Sequence, residues 1–194
     1  MPAYALAARA ATPMIATVRG IAADQLDAAT PCRAYDVRKL LNHLLFWGPS
    51  LAGAATDAGV APPAASEPEV DLTGGDWAGA MVDQIDRTAT AWGEPAAWQG
   101  STRMGGPDPL PASMIGGMVL TELVVHGWDL ARATGQQPQW EGEVLEFVHQ
   151  QVAQTAEQGR ELGVYGPRVA VPDTAGVLDR ILGLTGRDPG WPGG

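Results

Sequence analysis

The stretch TELVVHGWDLARATG, Thr121 to Gly135, decides how this chain is read. It places Glu122, His126 and Asp129 four and three residues apart in an otherwise apolar run. On an α-helix that spacing puts all three on one stripe, with neighbouring Cβ atoms about 5–6 Å apart. The same stripe holds Ile115, Val119 and Ala133, so it reads as a core-facing seam. Charged groups in such a seam cost roughly several kcal/mol per ion unless something compensates them. A bound divalent cation is the simplest compensation. An ordinary surface Glu–His pair needs a solvated face, and Leu120, Leu123, Val124 and Val125 leave little of one.

Working outward, this helix is expected from about Ala112 to Thr134, with Gly135 as its left-handed terminator. A first helix is expected over 3–20, with Pro13 as a kink or boundary. A second begins at Asp36, whose carboxylate can cap the first free amides. It carries Val37, Leu40, Leu41, Leu44, Trp47 and Leu51 as a broad apolar face. Residues 59–76, rich in Pro, Gly, Ser and acidic side chains, read as a long surface loop. Asp76 can cap a third helix to about Trp92, along which Met81, Ile85 and Thr88 share a side. Gly93 to Pro111 reads as irregular, with short extended pieces around Trp98–Met104. A fifth helix is expected from Glu143 to Leu162 and a short last one from Thr174 to Gly186. The tail GRDPGWPGG is expected to be poorly anchored. The result is an all-α chain, residues 1–194 as a single domain, built on a bundle of four long helices with further C-terminal helices.

Asn42-His43 falls on the second helix, and His43 lies beside its apolar stripe. Taken alone it reads more readily as a core histidine than as a ligand. With Glu122 and His126 it supplies a third ligand from a facing helix. A His₂Glu set with an open fourth position is the pattern of catalytic zinc. Nitrogen and oxygen donors without thiolate also suit nickel, iron or manganese. Asp129 has two readings: acceptor for a ligating imidazole, or partner of Arg132 or Arg103. His149 is expected to be exposed and Cys32 to be a small packing residue without a base nearby. Trp47 and Trp128 are either pocket walls or core, and core is the simpler reading for Trp47.

The net charge of −10 and the lack of any Lys/Arg cluster exclude a nucleic-acid partner. No apolar run reaches the roughly 18–20 residues that a membrane span needs. The single cysteine permits no internal disulfide and suits a reducing, cytoplasmic setting. One lysine against eleven arginines, with abundant alanine and glycine, is the composition of a GC-rich genome.

ATPCRAYDVRKLLNHL, beginning at Ala29 and running on through His43, resembles the second-helix entry of the mycothiol-dependent maleylpyruvate isomerase N-terminal domain group. That group lies within the DinB-like superfamily of four-helix metal-binding proteins. ELVVHGWDLARATG resembles its fourth-helix motif, and the stretch from Tyr165 to Trp191 resembles the tail of single-domain actinobacterial members. The resemblance implies an up-down-down-up bundle with His43, Glu122 and His126 as metal ligands near one end. In thiol-using members the metal, usually zinc, binds the sulfur of a low-molecular-weight thiol. The isomerase carries an additional C-terminal domain with substrate contacts, for which residues 143–194 look too short, so isomerase activity is not carried over.

Two functions are therefore expected. One is a metal-dependent enzyme that activates a small thiol such as mycothiol for transfer to an electrophilic small molecule. The other is a non-catalytic metal- or ligand-binding bundle acting through a homodimer or in a stress response.

Overall fold

The computed structural model describes residues 1–104 and 108–192. Among these, six α-helices follow in order: α1 Ala7–Arg19, α2 Val37–Ala54, α3 Trp77–Trp92, α4 Ala112–Ala133, α5 Gly142–Glu161 and α6 Val177–Leu184. A two-residue antiparallel ribbon, β1 Ser101–Thr102 with β2 Leu110–Pro111, precedes α4. It lies partly within the span expected to be extended, and the fold is all-α as expected.

The local signals act where they were read. Asp36 accepts from the Lys39 amide at 2.8 Å and Asp76 from that of Gly79 at 3.0 Å, each capping a helix start. Gly135, at φ 72°, ends the chain's longest helix in the left-handed region. Pro13 neither ends α1 nor bounds it. The helix runs from Ala7 through the proline, and the first residues, Ala3–Leu6, form a 3-10 turn.

α1 packs on α3 and α4, and α2 on the same two helices from the other side. The C-terminal ends of α1 and α4 meet where the Gln136 amide donates to the Thr17 carbonyl at 3.0 Å, so these helices run together. α2 and α3 run the opposite way, their C-terminal ends tied by the Trp92 indole donating to the Leu51 carbonyl at 2.8 Å. The topology is up-down-down-up. Its core holds Met14, Leu40, Leu41, Phe46, Met81, Trp92, Ile115 and Leu120, all nearly inaccessible.

α5 lies against α4, and α6 against α5. The C-terminal tail departs from expectation. Arg187 is buried, the Arg132 guanidinium donates to the Trp191 carbonyl, and the Trp191 ring packs against the core. Its hydrogen bonds to side chains of α4 and its own apolar ring anchor it. Gly193 and Gly194 lie outside the described residues.

Candidate metal centre

On α4 the seam runs as the spacing requires: Ile115, Val119, His126, Asp129 and Ala133 are buried and Glu122 is half-buried. α2 faces it and brings His43 across. One ligating atom from each of His43, Glu122 and His126 lies within 4.8 Å of the other two. Glu122 Oε2 stands 3.7 Å from His43 Nε2 and 3.5 Å from His126 Nε2. These separations are long for hydrogen bonds. They match the edges of a tetrahedron with metal–ligand bonds of about 2.1 Å, which are about 3.4 Å.

The far nitrogen of each ring is also engaged. His126 Nδ1 lies 2.9 Å from Asp129 Oδ2, and His43 Nδ1 lies 2.9 Å from Glu67 Oε1. An ionised carboxylate can only accept, so each Nδ1 donates to the carboxylate behind it, and each Nε2 is left directed toward Glu122. Carboxylate–imidazole pairs of this kind orient metal-ligating histidines.

Burial alone would raise the Glu122 pKa, but His126, His43 and Arg187 outweigh it and hold the carboxyl down at about 2. Burial lowers that of His43, and the carboxylates of Glu122 and Glu67 more than offset it, so the imidazole stands above its ordinary value. The inner cluster contains the carboxylates of Glu67, Glu122 and Asp129 against one guanidinium, Arg187. Were a cation to take the Nε2 positions from protons, three carboxylates against one guanidinium would leave two negative charges to be balanced. A divalent cation balances that charge, so the donor set and the charge both fit one.

Asp129 contacts the His126 imidazole and also carries an arginine salt bridge. Its cationic partner is neither Arg132 nor Arg103 but Arg187, whose Nη2 and Nε donate to its two oxygens at 2.9 and 3.4 Å. Arg132 instead lies over the Trp128 ring, 6.0 Å from its centroid.

Three residues of the cluster escaped sequence reasoning. Glu67 sits in a 3-10 turn, Glu67–Glu69, within the 59–76 loop, which the acidic composition marked only as surface. It accepts from the Trp47 indole at 2.7 Å and from the Tyr35 hydroxyl at 3.3 Å as well as from His43. Burial first, and then the charge of Glu67, push the Tyr35 hydroxyl pKa up. Trp47 is therefore not plain core. Its indole N–H, one helical turn beyond His43, was the available signal, since a half-buried indole requires an acceptor. Tyr35, Lys39, Asn42, Trp47, Ser66 and Glu67 line a cavity of about 550 Å³ beside this arm. Arg187 offered no signal that a tail arginine would be buried.

Cys32 is half-buried rather than packed away, and one ligating atom each of Cys32, His126 and Asp129 come within 4.8 Å of one another. The base missing in the sequence is thus near in space. Burial nevertheless pushes the thiol up against the opposing charge of Arg187, which leaves a weak nucleophile. His149 is half-buried on α5 and belongs to neither group.

Residues 7–131 match the family described as mycothiol maleylpyruvate isomerase N-terminal domain. No curated protein matches the sequence significantly. Among solved structures, that of mycothiol-dependent maleylpyruvate isomerase with one histidine replaced by alanine is similar at 15% identity and TM-score 0.61. The structure titled as the isomerase without a stated substitution gives 15% and 0.58. Each likeness covers 82% of this chain and 73% of the other. At that identity the structures show the shared fold, and the family match spans most of the sequence. The chain belongs to the mycothiol maleylpyruvate isomerase N-terminal domain family.

Proposed function

We propose, with that membership as premise, that His43, Glu122 and His126 hold a divalent cation, zinc first by donor set, for an enzyme acting on a low-molecular-weight thiol. The observation that carries this reading is the convergence of His43 Nε2 and His126 Nε2 on one oxygen of Glu122, at 3.7 and 3.5 Å, each ring backed by a second carboxylate. Three protein donors leave a coordination position open. A cation there would ionise a bound thiol near neutral pH, making its sulfur a nucleophile toward an electrophilic carbon. The names of the structural neighbours make mycothiol the first thiol to test.

The chain's own residues do the rest. Glu122 stays ionised throughout the neutral range. Asp129 and Glu67 keep both Nδ1 protons in place, so neither ring can turn its other nitrogen to the cation. Tyr35 and Trp47 hold Glu67 on its own arm. The buried part of the cluster excludes water from the His126 side, which strengthens each electrostatic contact there. Residues 1–194 then work as a single unit, since the tail supplies Arg187. A thiol co-substrate and one unpaired cysteine suit a reducing, cytoplasmic setting.

One observation favours a non-catalytic binding role. With a cation bound, both imidazoles would have both nitrogens committed, and burial holds the protons on Tyr35 and Cys32, so none of these four would be free to act as a general base.

Elemental analysis of the protein purified without a metal-affinity column, beside Glu122→Gln and His43→Ala, tests the site. Near-stoichiometric metal in the parent, lost by at least tenfold in both variants, is expected. Equal metal content in Glu122→Gln and parent would remove Glu122 from the ligand set. Adding thiol to the cobalt-loaded protein then separates the two roles. A changed visible spectrum is expected for thiol coordination, and an unchanged one favours the binding role.

A further inference from the structure

Arg187 lies beyond the stretch that matches the family, in the tail after α6, yet it is 94% buried against the seam. We infer that Arg187 is a positioning residue for the His126 side of the site: its guanidinium fixes the Asp129 carboxylate, and that carboxylate fixes the imidazole. This rests on the metal reading above.

The contacts form a chain. Asp129 is fully buried, and its Oδ2 is shared between His126 Nδ1 and Arg187 Nη2, both at 2.9 Å, while Oδ1 receives Arg187 Nε at 3.4 Å. A carboxylate held only by an imidazole can rotate about its terminal torsion, which is broad. A planar fork bonded to both oxygens removes that freedom and sets the plane in which Oδ2 meets the ring. The guanidinium is itself held. Its Nη1 donates to the Thr185 carbonyl at 3.0 Å, and its amide donates to the Leu182 carbonyl at 2.8 Å.

The turn that delivers it is built for the purpose. Gly186 sits at φ 83°, and a Cβ there would lie 2.7 Å from the Gly166 backbone. Only glycine allows the two segments to approach so closely in that conformation. Lysine could supply the charge but not the fork. Arg187 thus makes the C-terminal segment part of the metal site, and not only a cover for α5.

The test compares zinc affinity, by competition with a chromophoric chelator, in the full-length parent, Arg187→Met, Arg187→Lys, Asp129→Asn and Asp129→Asn/Arg187→Met. Removing an outer carboxylate or its support costs about ten- to a hundredfold in metal affinity. That loss is expected for Arg187→Met, with partial recovery in Arg187→Lys and an altered cobalt spectrum. The double variant, which deletes both buried charges together and so is the better folded, should bind no more weakly than Asp129→Asn. Gly186→Ala, which misplaces the guanidinium without touching it, should move the His126 Nδ1 nitrogen chemical shift in the same direction as Arg187→Met. Parent-like affinity and cobalt spectrum in Arg187→Met, whatever its melting temperature, would reduce Arg187 to a structural role and overturn the inference. So would additive losses in the double variant. A parent that takes up no metal removes the metal reading itself, and with it this inference. That result is distinct from a parent that binds beside variants that bind equally well.

Discussion

His43 and His126 present the same nitrogen to the same oxygen of Glu122, at 3.7 and 3.5 Å, but the carboxylates behind them are held in opposite ways. Behind His126, Asp129 is inaccessible, shares its helix with the ring it serves and is matched by a buried guanidinium. Behind His43, Glu67 comes from a loop, is half-buried and rests on two neutral donors, Trp47 and Tyr35. One arm is rigid and charge-compensated. The other is open to solvent beside a cavity, on a segment with little regular structure. Weakly packed segments open more readily than buried ones, so the two arms are expected to differ in how much their loss costs the fold.

Stability should separate the arms most sharply. Asp129→Ala leaves the Arg187 charge buried without a partner and is expected to cost about 3–5 kcal/mol in urea unfolding. Glu67→Ala, whose donors can turn to water, is expected to cost about 1 kcal/mol. Equal losses would break the distinction. Metal affinity should separate them less. Asp129→Asn and Glu67→Gln are each expected to lose about ten- to a hundredfold by chelator competition. A loss confined to Asp129→Asn would show that the His43 arm needs no backing.

Tyr35→Phe sharpens the open arm. Its hydroxyl lies 3.2 Å from His43 Nδ1 and 3.3 Å from Glu67, and its removal is expected to cost about 0.5–1.5 kcal/mol or less, with affinity within tenfold of the parent.

The smallest effect belongs to an exposed control, Arg9 with Glu141 and Glu143. Hydrogen bonding to Arg9 lowers the Glu141 pKa from its ordinary 4.5. A carboxylate depressed in the folded state adds stability above its unfolded pKa and loses it as pH falls through the folded one. The melting-temperature gap between parent and Arg9→Ala should therefore be small at pH 6, shrink below about pH 4.5, and close in 1 M salt.

α4 was legible almost residue by residue, because a 22-residue helix repeats its address every turn and Glu122, His126 and Asp129 stand on the buried stripe. The caps at Asp36 and Asp76 were legible for a related reason, since capping is settled within one turn of chain. Glu67 was not. It is 24 residues from His43 in a loop whose composition says only that water is near. The burial of Arg187 was not legible either: Gly and Pro around it signal turns, and turns do not report what they deliver.

The sequence alone determined the helices, their inward faces, the family and the candidate triad of His43, Glu122 and His126, because helical periodicity and short-range chemistry are written locally. Only the tertiary structure decided which carboxylate stands behind each imidazole and that a cation from the tail completes the cluster. Those pairings join Glu67 to His43 across 24 residues and Arg187 to Asp129 across 58, and contacts at such distances depend on how packed surfaces meet.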